Sequence, residues 1–402
     1  MARLMMPLLS NNRVTNKAIR FFTFRTQAVC AVLLLCVLAG CSSSNVPKQL
    51  LDGETMGTRY HITVFAKLTD AQRKGLHGEL QSELDSIEAL MSSYQADSQL
   101  MKLNRWSKKD KFTIDEHVFN VLTRAQTIHD MSDGAFDISL SPLIELWGFA
   151  TKKPTSSVPS RQQINAMKAR VDLPSLVLSR EPCVEQDSVL TPAMIPTTTR
   201  ATTPTVTPVT VAKTMPNATC HYAEKGKSNV TFNVSAIAKG YAVDVLSNAL
   251  KIKGYDNFLV EVGGEVYASG SKPNDEPWRL GLEQPDKAPG DVQVAVRLRD
   301  ASIATSGDYR NFFMRDGKRY SHTLDPRTGQ PIEHKLASVS VIASNAMDAD
   351  AWATALNVQG LEEGYDTAIK HNLAVYFIQR QASGFVVRYT PLFKRYLERG
   401  DS

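Results

Sequence analysis

The chain has 402 residues, 43% of them hydrophobic and 22% charged, with a formal net charge of +5. That hydrophobic share excludes a wholly disordered or low-complexity polypeptide, and the length suffices for one large enzyme-sized domain with a substantial core. The positive balance sits at the N-terminus: residues 1–40 hold five basic residues and no acidic one, so from residue 41 onward 41 basic residues face 41 acidic ones, which argues against nucleic-acid binding.

Arg13, Lys17, Arg20 and Arg25 precede an apolar stretch, Ala28 to Leu38, that is too short for a comfortable transmembrane helix. Leu38-Ala39-Gly40-Cys41 follows and resembles the lipobox of bacterial lipoproteins, in which the cysteine is acylated and becomes the first mature residue. The expected organisation is a signal peptide over 1–40, a lipidated polar tether over 41–51 and a folded domain over 52–402. Such a protein is held by its lipid on the periplasmic face of a bacterial membrane; Ser42 after Cys41 leans toward the outer membrane, and inner against outer stays open.

Arg59 to Phe65 alternates as a strand, and Thr69 to Met91 repeats Leu76, Leu80, Leu84 and Ile87 at helical spacing. Glu116 to Met131 and Ser160 to Lys168 predict two further helices. Leu176 to Leu178 and Val230 to Val234 read as two strands of one hairpin, separated by an insert at about 181–227 whose Thr- and Pro-rich middle cannot bury a core. Cys183 and Cys220 flank that middle; with Cys30 and Cys36 in the signal and Cys41 lipidated, they form the remaining even pair, a candidate disulfide in an oxidising compartment.

Beyond the insert, Tyr241 to Leu250 predicts a helix, and strands are expected at Phe258 to Val262, Glu265 to Ser269, Trp278 to Leu282, Val292 to Leu298, Ser302 to Thr305, Phe312 to Met314 and Arg319 to His322. Ala337 to Ala343 predicts a strand, Ala346 to Asn357 and Leu361 to Lys370 two helices, and Ala374 to Arg380 with Phe385 to Tyr389 the last strands. Strands joined by short turns, with helices clustered, predict an α+β fold of mainly antiparallel sheets packed with helices.

Three constellations carry chemistry. Asp350 and Thr354 lie four apart, so a carboxylate and a hydroxyl share one helix face, as a hard divalent cation would use; an ordinary helix start, capped by an aspartate, explains the same spacing. Ala238-Lys239-Gly240-Tyr241 sits where a small-residue turn enters a helix, whose free N–H groups suit phosphate oxygens, although many such corners bind nothing. His322, at a strand end before the turn Asp325-Pro326-Arg327-Thr328-Gly329, is a candidate general base, and a structural histidine is an equal reading.

In this order the motifs resemble the ApbE flavin transferases, bacterial enzymes that move FMN from FAD onto a protein threonine or serine. The resemblance rests on Thr55-Met56-Gly57-Thr58, Met91-Ser92-Ser93-Tyr94, Asp97-Ser98-Gln99-Leu100, Gly134-Ala135-Phe136-Asp137, Ser235 to Asp244, Val262-Gly263-Gly264-Glu265, Ala304-Thr305-Ser306-Gly307, Ser321 to Pro326 and Asp348 to Leu356. It implies that residues 52–402 form a flavin transferase domain in which Met56, Tyr94, Ala135, Phe136, Asp137, Ser235, Lys239 and Leu324 bind FAD. It further implies that the Ala238 carbonyl, Asp350 and Thr354 hold magnesium, that AMP is released, and that the acceptors are exported flavoprotein subunits of redox-driven ion pumps. Some members carry a second aspartate where Ala353 stands here. His322, with Asp325 as helper, is the candidate base for the acceptor hydroxyl. An FAD pyrophosphatase yielding FMN and AMP, or a flavin-binding lipoprotein without turnover, are the competing readings.

Overall fold

Val339, Val341, Val375 and Phe377 enter one hydrophobic core, while their neighbours Ile342, Ala374, Tyr376 and Ile378 enter another. Successive strand side chains point to opposite faces, so these segments belong to a sheet covered on both sides, and their near-continuous apolar character follows. The computed structural model describes residues 46–150, 158–185, 213–285, 291–307, 312–315, 318–382 and 384–398. The signal segment, Cys41 and the Thr/Pro-rich middle of the insert lie outside them. Among the described residues no helix is long and apolar enough to cross a membrane.

In chain order the elements are β1 (Lys48–Thr55), β2 (Thr58–Phe65), α1 (Asp70–Met91), α2 (Gln99–Arg105), β3 (Phe112–Ile114), α3 (Glu116–Met131), α4 (Ser141–Leu146) and α5 (Arg161–Lys168). There follow β4 (Leu176–Glu185), β5 (Lys213–Lys225), α6 (Ala238–Ile252), β6 (Phe258–Val262), β7 (Glu265–Ser269), β8 (Trp278–Glu283), β9 (Val292–Leu298) and β10 (Ala301–Gly307). The chain continues through β11 (Phe312–Arg315), β12 (Lys318–Ser321), β13 (Leu324–Asp325), β14 (Gln330–Pro331), β15 (Leu336–Ala343), α7 (Ala346–Lys370), β16 (Ala374–Gln381) and β17 (Gly384–Tyr389).

The central sheet has eight strands in the order β1-β2-β6-β7-β10-β15-β16-β17, each pair antiparallel. The architecture is therefore the expected α+β one. Helices α1 and α6 pack on β2 and β6 through Leu80, Leu84, Leu246, Ile62 and Val260. Helices α3 and α7 contribute Leu122, Ala125, Trp352 and Leu356 to the core that also takes Val339 and Phe377. The opposite face is covered by the β8–β9 hairpin, through Trp278, Leu282 and Val296, and by Phe393.

Several sequence expectations shift. β1 was not anticipated and begins at Lys48, inside the stretch read as tether; it is an edge strand with few buried side chains, so no apolar alternation announces it. The hairpin partner of Leu176 to Leu178 is β5, not Val230 to Val234: Leu178 pairs with Ala223. The 230–234 segment runs as an irregular strap because Asn104 replaces a neighbouring strand, with its Oδ1 accepting from the Phe232 N–H at 2.7 Å and its Nδ2 donating to the Phe232 carbonyl at 2.8 Å. The ends of the insert are ordered as a β4–β5 ribbon, across which Cys183 and Cys220 are bonded. The two helices expected after β15 appear as one run broken at Gly360, whose φ of 79° lies in the left-handed region.

The close approach of α6 to α7 is set by Gly240. A Cβ there would lie 2.2 Å from the Ala346 carbonyl oxygen and 2.9 Å from Asp350 Cβ. The same junction is capped by Asp244, whose two carboxylate oxygens accept the Ala346 and Met347 N–H groups at 2.7 and 2.9 Å, while Asn345 accepts from Asp348 N–H. Burial nevertheless pushes the Asp244 carboxyl up to about 6, against those two bonds.

Gly240→Ala must move one helix backbone, and we expect it to destabilise the protein by roughly 1–3 kcal/mol or more in urea denaturation. Gly75→Ala, on the exposed face of α1 with nothing within 4 Å of the added methyl, serves as the neutral-to-stabilising control. Because the folded pKa of Asp244 is raised from 3.8 to about 6, its contribution is present in full below the unfolded value and is lost as pH rises through about 6. Asp244→Asn removes that slope, so the stability of the wild type relative to the variant falls between pH 4 and 7 in parallel urea titrations.

Candidate active site

The helix start predicted at Ala238-Lys239-Gly240 and the predicted Asp350 meet. Asp350, buried on the first turns of α7, accepts the Gly240 backbone N–H through Oδ2 at 3.0 Å. Residue Ile237 before α6 supplies no side-chain cap, so this remote carboxylate satisfies one of the free donors at the helix N-terminus, where the helix dipole favours negative charge. Thr354, half-buried one turn further along α7, shares the helix face of Asp350. The Lys239 ammonium lies 2.8 Å from Glu265 Oε1 and 3.5 Å from Asp350 Oδ2.

Glu265 opens β7 directly after Gly263-Gly264 and is 4% exposed. Its Oε2 is buried without a hydrogen-bond partner. Burial, reinforced by the Asp350 charge, pushes its carboxyl up, and the adjacent Lys239 ammonium opposes that shift. For Lys239 burial disfavours the charge, but Asp350 and Glu265 outweigh it and hold the ammonium above its usual range. The sequence alone assigns Glu265 no role, because a lone carboxylate after a glycine pair carries no signal until its partners are known.

The β1–β2 turn joins this corner. A Cβ on Gly263, whose φ of 59° admits glycine, would lie 2.9 Å from Thr58 and 3.2 Å from the Lys239 stem, so Thr58 and the lysine stem both crowd this glycine, and the Gly263 N–H donates to the Arg59 carbonyl at 3.0 Å. Met56 occupies the left-handed region at φ 49° and donates its N–H to Glu88 Oε2 at 3.1 Å. Glu88 also accepts from Gln95 Nε2 at 3.3 Å, which ties the loop carrying Tyr94 to the Met56 turn. Tyr94 is 84% exposed, an aromatic face free for a ring ligand. Residues 54–59 and Glu88 line a cleft of about 390 Å³. Glu88 was not predicted, because it looks like any exposed carboxylate of an amphipathic helix.

Other predicted residues take different parts. The Phe136 ring is 1% exposed and packs within the main core, and Ala135 beside it is buried as well. Asp137 is committed to Ser139, accepting its N–H at 2.7 Å and its hydroxyl at 2.6 Å, with His129 at 3.5 Å; burial raises its pKa despite those bonds. Leu324 packs with Leu143, Trp147 and Ile164. Both Asp325 oxygens are held by Arg327, at 3.0 and 3.1 Å, so this carboxylate braces its own turn through a guanidinium rather than standing free as a base. His322 is half-buried at the exit of β12, and Ser235 is exposed in the turn before α6, its N–H donated to Asn233.

Among the described residues no three His, Cys, Asp or Glu side chains cluster as metal ligands. The Asp350 carboxylate and the orphaned Glu265 Oε2 supply oxygens at the corner, with the Thr354 hydroxyl one turn along the same helix face and the Ala238 carbonyl on the first residue of α6. A hard cation that keeps several waters fits such a set.

The chain as a whole is similar to known proteins. The sequence profile of the ApbE family matches residues 56–377. The FAD:protein FMN transferase of Escherichia coli K12 is 32% identical over 383 residues, covering 93% of this chain and 98% of that protein. The Klebsiella pneumoniae protein of the same name is 32% identical, with 91% and 96% covered. Among solved structures, the apo flavinyl transferase ApbE of Pseudomonas stutzeri superposes with a TM-score of 0.71 at 32% identity, covering 88% of this chain and 98% of that one. The Vibrio cholerae flavin transferase ApbE gives 0.71 at 30%, covering 87% and 99%. Sequence match and overall fold thus agree, and the chain belongs to the ApbE family.

Proposed function

We propose that this chain is an FAD:protein FMN transferase that moves FMN from FAD onto a threonine or serine hydroxyl of an acceptor protein and releases AMP. Relatives that bear this name match more than nine-tenths of the chain. The observation that carries the reading is the Asp350–Gly240 contact, which draws a buried carboxylate across 110 residues to a helix N-terminus beside Lys239.

In this reading Tyr94 and the Met56 turn take the ring systems, and the Lys239 ammonium with the α6 N-terminus faces the diphosphate. Asp350, Thr354 and the Ala238 carbonyl would hold magnesium, which when bound neutralises charge on the diphosphate oxygens. The acceptor hydroxyl forms a bond to the FMN-side phosphorus, the bond from that phosphorus to the bridging oxygen breaks, and AMP departs with that oxygen. His322 takes the hydroxyl proton; Arg327 keeps Asp325 in place to shape the turn that follows His322.

The residues at 38–41 support a lipid anchor at Cys41, and the Cys183–Cys220 bond suits an oxidising compartment outside the cytoplasm. We therefore place the enzyme on the periplasmic face of a bacterial membrane, acting on exported flavoprotein subunits of redox-driven ion pumps.

Incubation with FAD, magnesium and an acceptor domain bearing the target threonine should give a covalently fluorescent acceptor and one AMP per flavin. Free FMN and AMP without labelling would show a pyrophosphatase, and intact bound FAD a binding protein. Asp350→Ala should abolish labelling, and retention of full activity by that variant in metal-depleted buffer would remove the basis of the reading. His322→Asn should lower the single-turnover rate about 10²–10⁴-fold while FAD affinity changes little, as measured by flavin fluorescence.

A further inference from the structure

Two carboxylates and one ammonium occupy the corner, and the count does not balance. Asp350 is 5% exposed and Glu265 4% exposed, and Lys239 is shared between them; with both carboxylates ionised the three groups sum to one net negative charge. Glu265 keeps the shorter contact, 2.8 Å against 3.5 Å, and still has a buried oxygen with no partner. A lysine stem is long and flexible, so its head can turn about one anchor while leaving another.

We propose that Lys239 is an internal counter-cation that competes with the divalent ion for Asp350, and that Glu265 is the positioning residue that anchors it. The inference rests on the transferase reading above and adds an order of events to it. A divalent ion entering alone would meet the ammonium and leave the pocket with one net positive charge and no anion. A diphosphate entering with it supplies the missing negative charge and draws the ammonium from Asp350 while Glu265 keeps hold of it. Metal and dinucleotide therefore bind as a pair, each strengthening the other by the same factor, as linkage requires.

The test is Mn²⁺ binding to the full chain, read from the EPR signal of free Mn²⁺ with and without FAD and corrected for Mn²⁺ held by free FAD. In the wild type, FAD should strengthen Mn²⁺ binding about tenfold or more. Lys239→Met should tighten Mn²⁺ binding about tenfold without FAD and lose most of the coupling, whereas Lys239→Arg, which keeps the charge, should not tighten it. Glu265→Gln releases the ammonium toward Asp350 and should weaken Mn²⁺ binding without FAD; it carries the test if Lys239→Met does not fold. Mn²⁺ binding by the wild type with no tightening in Lys239→Met, or no weakening in Glu265→Gln, overturns this inference alone. Absence of Mn²⁺ binding to the wild type under both conditions overturns the metal reading and this inference together.

Discussion

The contact between the Asp350 carboxylate and the Gly240 N–H governs this structure. It serves at once as a cap for α6, as a junction between two helices on one face of the sheet and as the position of a charged oxygen in the proposed site. A buried carboxylate is costly unless hydrogen-bonded or paired, and here a backbone N–H and an ammonium share the task. The junction tolerates no side chain at Gly240, because the Ala346 carbonyl already fills the space. Packing and electrostatics are thus enforced by the same few atoms.

The surrounding fold explains why that corner is rigid. The strap from Val230 to Val234 is gripped by Asn104 and by the buried Lys225, whose ammonium donates to the carbonyls of Asn104, Ser228 and Val230. On the α7 side, Arg124 forms a forked pair with Asp348, and Asp244 caps the first turn. These groups have no direct role in the proposed chemistry. They hold the two helix starts at a fixed distance, which is the preorganisation that phosphoryl transfer demands, since positioning and charge stabilisation supply most of its catalysis.

The aromatic and turn residues divide between packing and exposure in a way that alters their roles. Phe136 and Tyr94 both looked like ring-binding aromatics, yet one is sealed in the core and the other stands almost fully in solvent. Glu88 and Glu265, which carried no distinguishing local pattern, turn out to hold the Met56 turn and the Lys239 head. A single charged residue acquires a role only through partners brought from elsewhere in the chain, so neither was visible in its local sequence.

Local order was written in the residues themselves. The helix Glu116–Met131, the strands Phe258–Val262 and Glu265–Ser269 and the break between two helices near Gly360 follow from periodicity and from glycine, and the α+β class follows from their succession. The i, i+4 relation of Asp350 and Thr354 was equally legible, because helical spacing alone creates it. What tertiary structure decided was convergence: that β5 rather than the 230–234 strap pairs with β4, that Thr58 and Lys239 crowd Gly263, and that Asp350 reaches Gly240. Those contacts join residues tens to more than two hundred positions apart. No local pattern encodes them; they depend on how the sheet orders its strands and how closely two helices can approach where one of them has no side chain.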